Sequence, residues 1–146
     1  DELHFQLNPL QNSPAAILQH VAGNILSRFT DFLTTDGEKP WRDREAEFAD
    51  RHLPRQELLD LWNRAWNVLF TALAPLTDND LARIVTIRNE PHTIFKALLR
   101  QANHQAWHAA QIALIAKHLR QQNWQYLTIP PGGSNAFNEK MGVRPK

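Results

Sequence analysis

The stretch Asn12-Ser13-Pro14-Ala15-Ala16-Ile17-Leu18-Gln19-His20-Val21-Ala22-Gly23-Asn24-Ile25-Leu26-Ser27-Arg28-Phe29 decides the fold class. Ser13 suits an N-cap, because its hydroxyl can accept a backbone N–H of the first turn, and Pro14 suits the first helical position, where no donor is needed. Leu18, Val21, Ala22, Ile25, Phe29 and Phe32 recur at three- and four-residue steps, the period of a helix with one apolar face. The spacing predicts a helix from Pro14 to near Thr34, with Gly37 just beyond.

Outward from this helix, a charged loop runs over Glu38-Lys39-Pro40-Trp41-Arg42-Asp43-Arg44-Glu45. A second helix is predicted from near Pro54 through Leu58, Leu61, Trp62, Ala65, Trp66, Leu69 and Leu73, ended by Pro75. Trp62 and Trp66 read as core aromatics. Thr77-Asp78-Asn79-Asp80 is a turn. Leu81 to Arg88 is β-branched and reads as a short strand or an ordered loop. A third helix is predicted from Pro91 to about Gln121, its buried face formed by Ile94, Leu98, Ala102, Ala109, Ile112, Ala113, Ala116 and Leu119. From Thr128 the chain carries Pro130-Pro131-Gly132-Gly133 and reads as an extended tail over residues 128–146. Amphipathic helices joined by loops argue for an all-α antiparallel bundle in a single domain, residues 1–146. Three broad apolar faces fill a core better with a fourth partner, and residues 1–12 are too short and polar to supply it.

A chain of 146 residues can bury a core without staples. It contains no cysteine, which excludes disulfides, thiolate zinc sites, iron–sulfur clusters and cysteine nucleophiles. The formal net charge of +1 argues against a nucleic-acid grip. No apolar run approaches the length of a membrane span, and the first residues lack the pattern of a signal peptide. The expectation is a cytoplasmic protein with neither a nucleic-acid nor a membrane partner.

Seven histidines are the unusual reactive inventory. His104 and His108 are spaced to stack on one face of a helix, and two imidazoles so placed can share a divalent metal. Gln105 stands where the zinc-protease motif has its glutamate, so that reading fails. Gln101, His104, His108 and Gln111 form a stripe at the border of the apolar face. Two boundary histidines bonded to a neighbouring helix account for the spacing more often than a metal does. A third ligand would have to come from another element, and His20 is the best placed. It projects with Asn24, Ser27 and Asp31 away from the main apolar stripe, so it reads as solvent-facing unless the helix is buried on two sides. His4, His52, His92 and His118 read as surface residues. Arg28 and Arg42 are candidates to hold an anionic group beside a metal cleft.

Taken in order, these motifs resemble the DinB-like superfamily, and more closely an uncharacterised branch of it. Asn12-Ser13-Pro14 with Leu18-Gln19-His20-Val21-Ala22-Gly23-Asn24 is similar to that superfamily's second-helix motif. Asp36-Gly37-Glu38-Lys39-Pro40-Trp41-Arg42-Asp43-Arg44 resembles the branch's loop. Thr86-Ile87-Arg88-Asn89-Glu90-Pro91-His92 with His104 and His108-Ala109-Ala110-Gln111-Ile112 resembles its final helix, and Leu127-Thr128-Ile129-Pro130 with Phe137-Asn138 its tail. The resemblance implies a DinB-like four-helix bundle whose first helix, lying before Asp1, is missing from this chain. It implies a metal held by His20, His104 and His108, with zinc or nickel as the expected ion, and a homodimer.

Three imidazoles leave such an ion an open position for water or substrate. The expected activity is a metal-dependent transferase or hydrolase acting on a small-molecule substrate. A low-molecular-weight thiol is the expected partner, since it would be held as the nucleophilic thiolate. Asn24 and Gln111, with Arg28 and Arg42, would orient ligands or line the pocket. The alternative is a non-enzymatic, metal-binding or stress-associated bundle.

Overall fold

The computed structural model describes residues 2–49 and 51–143, which form α1 (Pro14–Phe29), α2 (Arg44–Phe48), α3 (Arg55–Leu73), β1 (Ile84–Ile87), β2 (Glu90–Thr93), α4 (Ile94–Arg120) and α5 (Ser134–Lys140). Short 3₁₀ turns lie at Glu2–His4, Asp78–Asp80 and Gln121–Asn123. The protein is mostly helical with one small antiparallel sheet, so the all-α expectation is corrected by a hairpin. Two compact units divide the chain, residues 1–115 and 116–146, with the boundary inside α4. No described helix is long and apolar enough to cross a membrane.

α1 begins as its sequence predicts. Ser13 Oγ accepts the Ala16 N–H at 3.2 Å, and Pro14 occupies the first turn. It ends at Phe29, earlier than predicted, because Thr30 turns extended at ψ 124° and Asp31 then turns left-handed at φ 50°. Phe32 continues the apolar pattern without the helix, buried against Phe29 at a ring separation of 4.9 Å. Thirteen of the sixteen residues of α1 are buried, because it packs against α3, α2 and the N-terminal turn together. Ile17, Val21 and Ile25 fill the core with Leu58 of α3, each full burial stabilising the fold by about 1.5–3 kcal/mol. α3 buries a narrow stripe, Leu58, Ala65 and Leu69. Trp62 and Trp66 are half-buried at its edge rather than in the core, stepping towards the exposed Phe70 at ring separations of 5.4 and 5.5 Å.

The ambiguous segment is a strand. β1 pairs with β2 so that Thr86 faces Pro91 and Val85 faces His92. The two turn residues, Arg88 and Asn89, have φ of 55° and 61°, as a tight two-residue hairpin requires. The Asp36 carboxylate accepts both their N–H groups, at 2.9 and 2.8 Å, and the Gly37 N–H donates to Thr86 O at 2.7 Å. Pro91 therefore lies in β2 and not in a helix, and His92 is buried, not a surface residue. α4 starts at Ile94, where Thr93 Oγ1 accepts the Lys96 N–H at 3.1 Å and Arg83 O accepts the Ile94 N–H at 2.8 Å.

The buried face of α4 differs from the predicted one. Ile94, Ala97, Gln101, His108 and Ile115 are buried, whereas Ala102 and Ala109 are exposed, as are Phe95, Leu99, Trp107 and Leu114. The stripe of glutamines and histidines, read as the border, is the inward face.

In the second unit the expected extended tail contains α5. Its end is fixed by Gly142, at φ 70°, with the Val143 N–H on Asn138 O at 2.8 Å and the Gly142 N–H on Glu139 O at 3.0 Å. These bonds make the Schellman stop. Lys117 lies over the Tyr126 ring at 5.6 Å.

Candidate metal centre

The burial of α1 on several sides turns its polar edge inward, and that edge carries His20. It meets the inward stripe of α4. The rings of His20, His104 and His108 form a near-regular triangle, with centroids 4.9 Å apart for His20–His108, 5.1 Å for His20–His104 and 4.6 Å for His104–His108. One nitrogen from each lies within 4.8 Å of the others. The doubt raised by the helical wheel about His20 is thus removed by packing: a second-face histidine on a helix covered all round is a buried one.

The hydrogen bonds assign the donor atoms. His20 Nδ1 lies 2.9 Å from Glu47 Oε2, an acceptor, so it carries the proton and Nε2 carries the lone pair. His108 Nδ1 lies 2.9 Å from Gln111 Oε1 and is assigned the same way. His20 Nε2 and His104 Nε2 stand 3.1 Å apart, and His104 Nδ1 is buried without a partner. A nitrogen–nitrogen separation near this value, about 3.3 Å, is what two imidazoles show on one tetrahedral ion with bonds of about 2.0–2.1 Å. The donor set and its geometry therefore fit a divalent cation. Burial, then His108, His20, Arg42 and Arg100, push His104 down to about 4. Burial also lowers His108, against the opposing hydrogen bond to Gln111. Both shifts favour the neutral, metal-competent imidazole.

Glu47 is the residue bonded to this histidine cluster that sequence reasoning missed. It lies on α2, with Asp43 as the N-cap accepting the Ala46 N–H at 3.0 Å. Arg42 grips its carboxylate with two bonds, Nε to Oε1 at 2.7 Å and Nη2 to Oε2 at 2.9 Å. The Arg42 side chain is only 2 % exposed and that of Glu47 9 %. Burial opposes ionisation of Glu47, but the bonds from Arg42 and His20 outweigh it and hold the carboxyl below its ordinary value. The Phe48 ring stacks on His20 at 4.4 Å. Gly23 makes this approach possible, since a Cβ there would stand 2.3 Å from Glu47 Oε1. A glycine inside a helix costs about 1 kcal/mol relative to alanine, and such an unexplained glycine was the available signal for a close approach.

A cleft of about 700 Å³ opens beside His20 and His104, and Asn24, Arg28 and Arg42 line it. Arg28 donates to Gly37 O and to Glu38 Oε2, the latter at 3.1 Å, which ties α1 to the loop. Ser27 Oγ donates to the same carbonyl at 2.7 Å. Asn24 Oδ1 is buried without a partner. Gln111 holds His108 but does not line this cleft. His4 bonds Leu53 O at 3.2 Å and lies tilted against the His52 ring at 4.9 Å, outside the triangle.

Neither a curated protein nor a solved structure matches the chain. Residues 1–133 match the family described as "Protein of unknown function (DUF1572)". With that match spanning nearly the whole sequence, the chain belongs to the DUF1572 family.

Proposed function

We propose that the protein is a metal-dependent enzyme of DinB-like bundle architecture, in which His20, His104 and His108 hold a zinc or nickel ion and leave a coordination position open. The observation that carries this reading is the convergence of three imidazoles, with lone pairs on His20 and His108 assigned to Nε2 by the partners of their Nδ1 atoms. An ion there would supply Lewis acidity and would lower the pKa of a bound water or small thiol.

The surrounding residues narrow the reaction. No carboxylate lines the cleft among the described residues. Glu47, the acid nearest the histidines, is committed to His20 and Arg42. A hydrolysis that relies on a carboxylate base has none to use, whereas transfer to a nucleophile activated by the ion needs none. A thiol-dependent transferase and a hydrolase that uses ion-bound water both meet this condition. Glu47 and Gln111 orient the imidazoles, and Asn24 lines the cleft.

The test is metal content by mass spectrometry on tag-free protein incubated with zinc or nickel. About one equivalent is expected in the parent, and the reading fails if it holds less than about a tenth. The absence of a dedicated base also supports a second reading, a metal with a purely structural role. Then His108→Ala would unfold the domain; an open catalytic site would lose the ion and keep its fold.

A further inference from the structure

The chain as a whole is almost uncharged, at +1, but its cations are not evenly spread. Arg28, Arg42, Arg44, Arg88, Lys96 and Arg100 line the cleft beside His20 and His104, and no acidic residue does. Glu38 and Glu47 answer some of this charge: Glu38 pairs with Arg28, Arg42 and Arg88, and Glu47 with Arg42. Arg44 pairs with the exposed Glu45 and lies over the Phe48 ring at 5.0 Å. Lys96 and Arg100 have no acidic partner among the described residues.

Those two residues occupy a particular line. Lys96, Arg100, His104 and His108 follow at steps of four on α4, so they lie along one side of the helix. At 1.5 Å per residue, Arg100 stands about 6 Å and Lys96 about 12 Å along the axis from His104. Asn24 and Gln101 add polar side chains to the same lining. The same lining carries apolar side chains, Phe29, Phe32, Leu99 and Trp107.

We infer that the cleft binds a small molecule with a carboxylate or phosphate group at one end, seated on Lys96 and Arg100, and a short stem that carries its reacting end to the three histidines. This deepens the proposed function, on which it rests only for the identity of the reacting end. The volume, about 700 Å³, is that of a small-ligand site.

The test is calorimetric titration of succinate and of methylphosphonate, with succinamide as the uncharged control, into metal-free and zinc-loaded protein. At least one of the two anions is expected to bind both forms, and succinamide neither. In Lys96→Ala/Arg100→Ala, Kd for that anion should rise at least about tenfold, with zinc stoichiometry and circular dichroism unchanged, because both side chains are exposed. Whichever anion binds more tightly identifies the end group. Binding of neither anion, or binding that the double variant leaves within about twofold, overturns the inference even if zinc binds. Anion binding by a protein that takes up no metal would leave this inference standing and overturn the proposed function instead.

Discussion

α1 and α4 both deliver imidazoles to one point, but they are held in opposite ways. α1 is buried along thirteen of sixteen residues, and its histidine is braced by Glu47, Arg42 and Phe48. α4 buries five of twenty-seven residues, and its His104 has an Nδ1 with no partner at all. The fold spends its rigidity on one ligand and leaves the other two on a helix that is largely exposed. Tuning of the site by its surroundings should therefore act mainly through His20.

The largest effect is expected from removing the brace. Glu47→Ala removes the two-bond partner of the buried Arg42, leaving it, among the described residues, only Glu38 Oε2 at 3.8 Å, and should cost about 3 kcal/mol in urea unfolding. It should also weaken metal affinity about 10–100-fold, because the ring of His20 loses its orienting acceptor. Equal metal affinity in variant and parent, measured by chelator competition, would remove the brace from the account.

Gly23→Ala sharpens the comparison, because it separates site from fold. The new Cβ would stand 2.3 Å from Glu47 Oε1, so the carboxylate must move, while helix propensity gains about 1 kcal/mol. Metal affinity should fall about tenfold with the melting temperature close to that of the parent. An unchanged affinity would show that Glu47 can shift without cost.

The α4 side should register in pH. His104 binds its proton at about 4 in the folded protein and near 6.5 when free, so between these values the unfolded chain holds more protons. Stability of the metal-free protein is then complete above about pH 6.5 and falls as the pH drops towards about 4. Glu47 acts in the same direction: its lowered pKa contributes stability present above the ordinary carboxyl value and lost below it. Urea midpoints that stay level between about pH 7 and about pH 5 would contradict this.

The smallest effect belongs to Gln111→Ala. His108 loses the acceptor on Nδ1 at 2.9 Å, a neutral bond worth about 1 kcal/mol. A loss of metal affinity comparable to that of Glu47→Ala would reverse the ranking of the two helices.

How much of this was legible follows from which contacts are local. The start of α1 could be read from Ser13 and Pro14, since a cap and its N–H are neighbours in sequence. The start of α4 could not: Pro91 imitates a first-turn proline, and the carboxylate that holds the hairpin turn comes from Asp36, far back in the chain. The three histidines came from the spacing of His104 and His108 together with a family resemblance. Helical periodicity alone pointed away from His20, because a wheel cannot show that α1 has neighbours on several sides. The same blindness misplaced the face of α4, where a cleft and not a dry core lies inside, so polar residues turn inward and Phe95 turns out. Net charge likewise concealed that six cations gather at one opening.

The missing Cβ at Gly23 also constrains the order in which this sequence can change. With Glu47 in place, any larger residue there collides with its carboxylate. Substitution at 23 becomes harmless only after the acid at 47 has gone, and once a side chain fills the space, restoring the acid alone no longer restores its contact with His20. The order of change at the two positions is therefore fixed in both directions: the acid leaves before the space is filled, and the space is cleared before the acid can return.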